Sequence, residues 1–253
     1  MKRFLIYTIL LFASVSATMA QPTSAERWEM GNKAYMDGAY DKAVEEYSAI
    51  LEGGEYSMEL YYNLANAYFK MEKIGKAILY YNKALRIAPS QEDVLHNLAI
   101  AETRTKDKIT AVPEFFLHRW MRVVRNSVSC NAWGALSLLF FALILTFALL
   151  FLLASRLGVR KAGFYGALCS LLLFVATTAF AISSRNDILT ENEAVVMSSA
   201  ISVKSSPDRS ATDLFVLHEG TKLRIVAEFD EWVEVVIADG KKGWTERKNI
   251  ETI

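Results

Sequence analysis

Apolar and polar positions follow three rhythms along this chain. Three blocks, 4–15, 132–154 and 162–183, run without a single charged residue. Residues 24–110 place apolar side chains at helical spacing, and from Glu193 onward they come in short β-branched runs between turn residues. Those runs predict strands at 195–196, 201–203, 214–217, 222–227, 232–237 and 243–244, with turns at 205–208, 218–220, 229–231 and 238–240. Five or six strands in so short a segment are enough to close a small barrel.

The first apolar block comes after Lys2 and Arg3 and ends in the small residues Ala17 and Ala20. This is the pattern of a signal peptide over 1–20, cleaved or retained as an anchor, and either form exports the segment that begins at Gln21. The second and third blocks predict transmembrane helices over 132–154 and 162–183. At about 1.5 Å per residue the first reaches roughly 34 Å, against a bilayer core of about 30 Å. Between them SRLGVRK is long enough only for a tight hairpin, and its Arg156, Arg160 and Lys161 favour the cytoplasm. Arg119, Arg122 and Arg125 on the other side nearly cancel that bias, so the leader decides. The expectation is an inner-membrane protein with two transmembrane helices and both folded modules periplasmic. Segment 113–130 is apolar and basic together. It reads as an interfacial helix with Phe116, Trp120 and Val123 on one side and His118, Arg122 and Arg125 on another, or as a plain juxtamembrane connector.

Within 24–110 the sequence repeats itself at an offset of 34 residues. MGNKAYMDGAYDKAVEEYSAIL aligns with LANAYFKMEKIGKAILYYNKAL, pairing Met30 with Leu64, Ala43 with Ala77, Tyr47 with Tyr81 and Leu51 with Leu85. Gly31, Ala43, Ala65 and Ala77 let paired helices approach, and Tyr40, Tyr47, Tyr68 and Tyr81 fill the remaining volume. Gly38 is placed to end its helix. A third copy starts near Glu92, but its second half, ETRTKDKIT, has lost the pattern and suits a solvent-facing cap. The period and its small and aromatic positions resemble the tetratricopeptide repeat (TPR): two full repeats plus a capping helix. The resemblance implies a peptide-binding groove lined by Trp28, Asn32, Tyr35, Tyr62, Asn63, Asn66, Phe69, Lys70, His96 and Asn97. The asparagines would bond an extended peptide backbone, and the aromatics would form pockets or simply pack the core. Family members that clamp a terminal carboxylate carry a run of cations where this chain has Trp28 and His96.

The segment 190–253 resembles the bacterial SH3-like domain through VKSSP at 203–207, LHEGT at 217–221, Glu231-Trp232, and Asp239-Gly240 before Gly243-Trp244. That resemblance implies a binding surface near Asp208, Trp232 and Trp244, although both tryptophans also suit a small core. The fold class expected is therefore a multidomain membrane protein: an all-α TPR solenoid, a two-helix transmembrane hairpin and a small all-β SH3-like barrel.

Composition narrows the chemistry. Lys plus Arg and Asp plus Glu number 28 each, so no charge excess argues for nucleic acid. Two cysteines, Cys130 and Cys169, fall at different depths of the hairpin, roughly 20 Å or more apart, beyond disulfide reach. His96, His118 and His218 lie in three different segments, which argues against a shared metal site. No phosphate loop or catalytic constellation stands out, so the chain reads as an interaction protein, not an enzyme, with no cofactor.

The order of leader, repeats, membrane hairpin and SH3-like segment resembles the BatE family, the TPR and SH3 protein of the Bacteroides aerotolerance operon. The resemblance implies partners of the same operon, von Willebrand A-domain membrane proteins and, indirectly, a MoxR-type AAA+ ATPase. It also implies a scaffold in a complex tied to oxidative or envelope stress. The alternative is a sensor whose SH3-like domain binds cell-wall peptides.

Overall fold

The computed structural model describes residues 22–113, 115–189 and 192–253, without the side chains of 187–189; the leader at 1–20 lies outside the described residues. Two units are distinguished, one ending at Tyr56 and one running from Ser57 to Ile253.

The first unit contains helices α1 (Ser24–Met36) and α2 (Tyr40–Glu52). α1 starts on a reciprocal cap: Glu26 N–H donates to Thr23 Oγ1, and Thr23 N–H donates to the Glu26 carboxylate at 2.8 Å. Gly31 is buried against Tyr47, and a Cβ there would stand 2.6 Å from the tyrosine ring. The close approach of α1 and α2 therefore requires glycine. Gly38 makes the turn between them at φ +76°. Its partner at the 34-residue offset is Glu72, which holds the same left-handed conformation at φ +57° without that freedom.

The second unit begins with α3 (Met58–Lys70), α4 (Ile74–Ile87) and α5 (Glu92–Thr103), then α6 (Phe116–Asn126) and the long α7 (Cys130–Leu153) and α8 (Leu157–Leu189). Ala65, Ala77, Ile78, Leu79, Tyr81 and Val94 form a core in which none is more than 1% exposed. α7 and α8 pair antiparallel, with Trp133 on Phe180, Phe141 on Phe174 and Phe151 on Phe164. Both are long and apolar enough to cross a membrane. Gly163, Ser170, Thr177 and Ser184 recur every seventh residue of α8 and are all buried. Small side chains at that period let helix backbones approach. At Gly163 a Cβ would lie 2.7 Å from the backbone nitrogen of Phe151. Ser137 and Thr178 add a hydroxyl–hydroxyl bond of 2.7 Å across the pair. Cys130 and Cys169 are both free thiols.

Seven antiparallel strands complete the unit: β1 (Glu193–Val196), β2 (Ala200–Lys204), β3 (Asp213–His218), β4 (Lys222–Phe229), β5 (Trp232–Val236), β6 (Lys242–Glu246) and β7 (Ile250–Thr252). Their order, β3-β2-β6-β5-β4-β1-β7, is linear, so the sheet is not the closed barrel that the strand count predicts. The reason lies at β7, a three-residue strand too short to signal itself in the sequence. It pairs with β1, and its Glu251 accepts from Lys76 Nζ of α4 at 2.5 Å. The repeat covers this edge. Gly220 and Gly240 turn at φ +85° and +87°.

The sheet and the second repeat share one core. Val195 and Ile253 belong to the same buried cluster as Ala77 and Ile78. Arg86 of α4 donates to the Ile253 carbonyl, and Lys222 Nζ donates to Asn82 Oδ1 at 3.1 Å. The stretch after α5, expected to be a solvated cap, instead runs along the sheet. Thr105, Asp107 and Ile109 are partly buried while Lys106, Lys108 and Thr110 are exposed. Ile109 packs on the sheet core, and Val112 N–H donates to the Ala238 carbonyl at 3.0 Å. Glu102, Arg104, Lys106 and Lys108 suit solvent, but the alternate positions 105, 107 and 109 suit a sheet.

Candidate functional site

The sites expected from the sequence fall on three surfaces. In the first unit Trp28, Asn32 and Tyr35 project from α1 and are half-buried. The Trp28 ring lies 5.7 Å from that of Tyr47, and Tyr47 donates its hydroxyl proton to Asn32 Oδ1 at 2.7 Å. Tyr35 meets Tyr40 edge-on at 5.3 Å.

The second unit repeats this arrangement 34 residues on. Tyr62 lies 6.1 Å from Tyr81, and Tyr81 donates to Asn66 Oδ1 at 2.6 Å. Here a third helix joins in. Asn97 of α5 donates through Nδ2 to both Tyr62 Oη and Asn66 Oδ1, each at 3.0 Å. Residues 59–91 match the tetratricopeptide repeat. No curated protein matches the chain. The tetratricopeptide repeat so matched spans α3 and α4 and the buried Tyr81 that anchors Asn66. Helical repeats of this kind serve protein–protein interaction.

The chemistry of this face is mostly neutral. Asn63 and Phe69 are half-buried, while Lys70 and His96 are exposed. Arg104 stands 5.7 Å over the Phe69 ring. Asn66 already accepts twice, from a hydroxyl and an amide, so its oxygen holds α3, α4 and α5 in register. The sequence pattern marks these asparagines as ligand-facing. The signal for their internal role lies in the offset itself, because Asn32 with Tyr47 and Asn66 with Tyr81 repeat as pairs.

On the sheet, Asp208 is exposed and caps its own turn, accepting from the Ser210 N–H at 2.7 Å and its hydroxyl at 2.8 Å. That backbone bond draws its carboxyl below the usual aspartate range. Trp232 is 6% exposed and faces inward, while Trp244 is half-buried. Of the three residues expected at this surface, Asp208 and Trp244 are accessible and Trp232 belongs to the interior. Among the described residues no group of three or more His, Cys, Asp or Glu is arranged to hold a metal ion.

The junction between repeat and sheet has no counterpart among the sequence motifs. Helix α4 has no side-chain cap of its own, and Gly75 N–H in its first turn donates to Glu219 Oε1 at 3.0 Å. The β3–β4 turn thus brings a carboxylate to a helix N-terminus, where it is favoured by the aligned peptide dipoles. Asp107 grips the same turn. It accepts from the His218 N–H, the His218 ring at Nδ1 and the Thr221 hydroxyl, each at 2.7 Å. Burial pushes its carboxyl up, but the bonds from Thr221 and His218 together outweigh it, and the group rests below the ordinary aspartate range.

Proposed function

We propose that the chain is a membrane-anchored protein-interaction scaffold. The single observation that carries this reading is a tetratricopeptide repeat at 59–91 in the same chain as two adjacent helices long enough and apolar enough to cross a bilayer. The docking of α4 on β1 and β7 supports a common side for both modules, because helices that cross and return leave their ends on one face. The leader pattern at 1–20 supports the exported, periplasmic side of an inner membrane. On this reading the face of α3 and α5 takes an extended segment of a partner protein, with Asn63, Lys70 and His96 as its accessible polar contacts. The SH3-like sheet adds a second weak contact through Asp208 and Trp244, and linking two weak sites raises overall affinity. The whole-chain resemblance to the BatE family supports partners among the von Willebrand A-domain membrane proteins of the same operon and an indirect link to a MoxR-type ATPase. It likewise supports a role under oxidative or envelope stress.

The test is crosslinking in native membranes and identification of the partner, with Asn63→Ala/His96→Ala compared to wild type. The variant is expected to lose most of the crosslinked partner while its helical circular dichroism and melting temperature stay unchanged. Recovery of the same partner in the same yield would remove the α3–α5 face from the proposal.

A further inference from the structure

Helix α6 meets both helices of the hairpin at one level. Trp133, in the first turn of α7, donates through Nε1 to the Arg125 carbonyl of α6 at 2.7 Å. The Trp133 ring lies 5.0 Å from that of Phe180 on α8. Arg125 in turn donates through Nη1 to Ser183 Oγ at 3.0 Å. Ala179, Phe180 and Ser183 line a groove together with α6 side chains between Phe115 and Arg125. Those three residues close the charge-free block 162–183, and Trp133 opens the block 132–154. Both helices therefore place α6 where the apolar spans end, at the boundary between acyl chains and headgroups.

α6 is not a continuation of α7. It ends at Ser127, and Ser129 starts α7 afresh by accepting from the Ala132 N–H at 3.3 Å. Along the shared groove, the stretch from Phe115 to Arg125 covers about 15 Å of the α6 axis, while Ala179 to Ser183 covers about 6 Å of α8. Helices lying side by side would present equal lengths, so α6 crosses α8. The side of α6 away from the groove carries Phe116, Trp120 and Val123, which are 73%, 59% and 62% exposed. Their i, i+4, i+7 spacing puts them on one face. Large apolar side chains grouped on an exposed face mark a contact with protein or membrane. At this level a soluble partner would have to displace lipid to reach them, and the headgroup boundary is where tryptophan is favoured.

We propose that α6 lies in the plane of the phospholipid bilayer as a third membrane contact, with Phe116, Trp120 and Val123 set into the ends of the acyl chains. The contact is apolar and needs no particular headgroup. It rests on the reading of α7 and α8 as membrane-crossing. The other side of α6 meets the second repeat and the sheet, because Arg122 and Asn126 share a cavity with Asn82 of α4 and Arg224 of β4. An inserted α6 therefore fixes the height of repeat and sheet above the bilayer and holds the α3–α5 face next to its surface.

The test uses the full chain in phosphatidylcholine nanodiscs. In a Cys130→Ala/Cys169→Ala background a single spin label is carried by Phe116→Cys, Trp120→Cys or Val123→Cys. Leu145→Cys, exposed midway along α7, marks the bilayer core, and Arg209→Cys, on the β2–β3 loop, marks water. Accessibility to oxygen against a water-soluble nickel chelate reads depth. The three α6 labels are expected at one common depth, about 5–10 Å into the headgroup–acyl boundary. Raised salt should leave that depth unchanged, since screening acts on charges. With the native cysteines kept, Trp120→Phe should reduce the quenching of tryptophan emission by acyl-brominated lipid relative to wild type. Melting temperatures of all variants guard against misfolding. Nickel accessibility at the α6 sites equal to that at Arg209, or unchanged quenching in Trp120→Phe, would overturn the proposal. So would exclusion of both reagents from the α6 labels, which would mean that protein covers this face. Withdrawal of the labels in high salt would replace insertion by a surface charge contact and overturn it too. A Leu145 label open to nickel would sink the membrane reading and this proposal with it. A lipid-buried Leu145 label beside water-exposed α6 labels would sink the α6 contact alone.

Discussion

At the scale of single residues, the repeated tyrosine–asparagine bond is the most consequential contact. Tyr81 is 1% exposed, and its hydroxyl reaches Asn66. Tyr81→Phe keeps the ring and removes the donor, leaving a part-buried amide oxygen with one partner fewer. The expected cost is about 1–2 kcal/mol, read from chemical denaturation monitored by circular dichroism. An unchanged midpoint would mean that water replaces the hydroxyl without penalty. Tyr47→Phe tests the same bond with Asn32 in the first unit. The sequence makes these positions visible as a 34-residue period but not their roles. An asparagine that faces a ligand and one that faces a buried hydroxyl sit at the same helical spacing. Only the partner across the helix pair distinguishes them. Trp232 is ambiguous for a similar reason: alternation places a side chain on one face of a strand without saying which face the core covers.

At the scale of elements, the helices are legible because their signals are local. Charge-free blocks mark α7 and α8, and the small-residue offset marks the repeats. What pairs α7 with α8 is finer, a seam of Gly163, Ser170, Thr177 and Ser184 with aromatic rings on either side. Gly163→Leu places a side chain into the backbone of Phe151, where nothing flexible can yield. We expect a loss of about 1–3 kcal/mol in the thermal unfolding of the detergent-solubilised protein, against a much smaller loss for Ser137→Ala. Equal effects from the two would argue that hydrogen bonding, not backbone approach, holds the hairpin. The sheet is legible strand by strand except for β7. Its failure to close is not, because β7 is held by β1 and by α4, partners remote in sequence.

At the scale of the whole chain, the contacts between 57–113 and 192–253 carry no sequence signal, since they join segments far apart along the chain. Asp107 is the clearest case. Its folded carboxyl titrates below its unfolded value near 4. The stability it supplies is therefore complete above that unfolded value and is lost as pH falls through the lower folded one. Wild type should exceed Asp107→Asn in stability by a constant margin from neutral pH down to about pH 5 and converge with it in stronger acid. A margin that persists undiminished in acid below about pH 3 would show that the charge of Asp107 contributes nothing. The shared core also dictates a timetable for biosynthesis. Ala77 and Ile78 emerge early from a ribosome, yet Val195 and Ile253, which complete their surroundings, emerge only after the hairpin. The second repeat must wait half-assembled through the making of the entire hairpin, a window in which a chaperone could hold it and a truncated product would be left exposed to proteases.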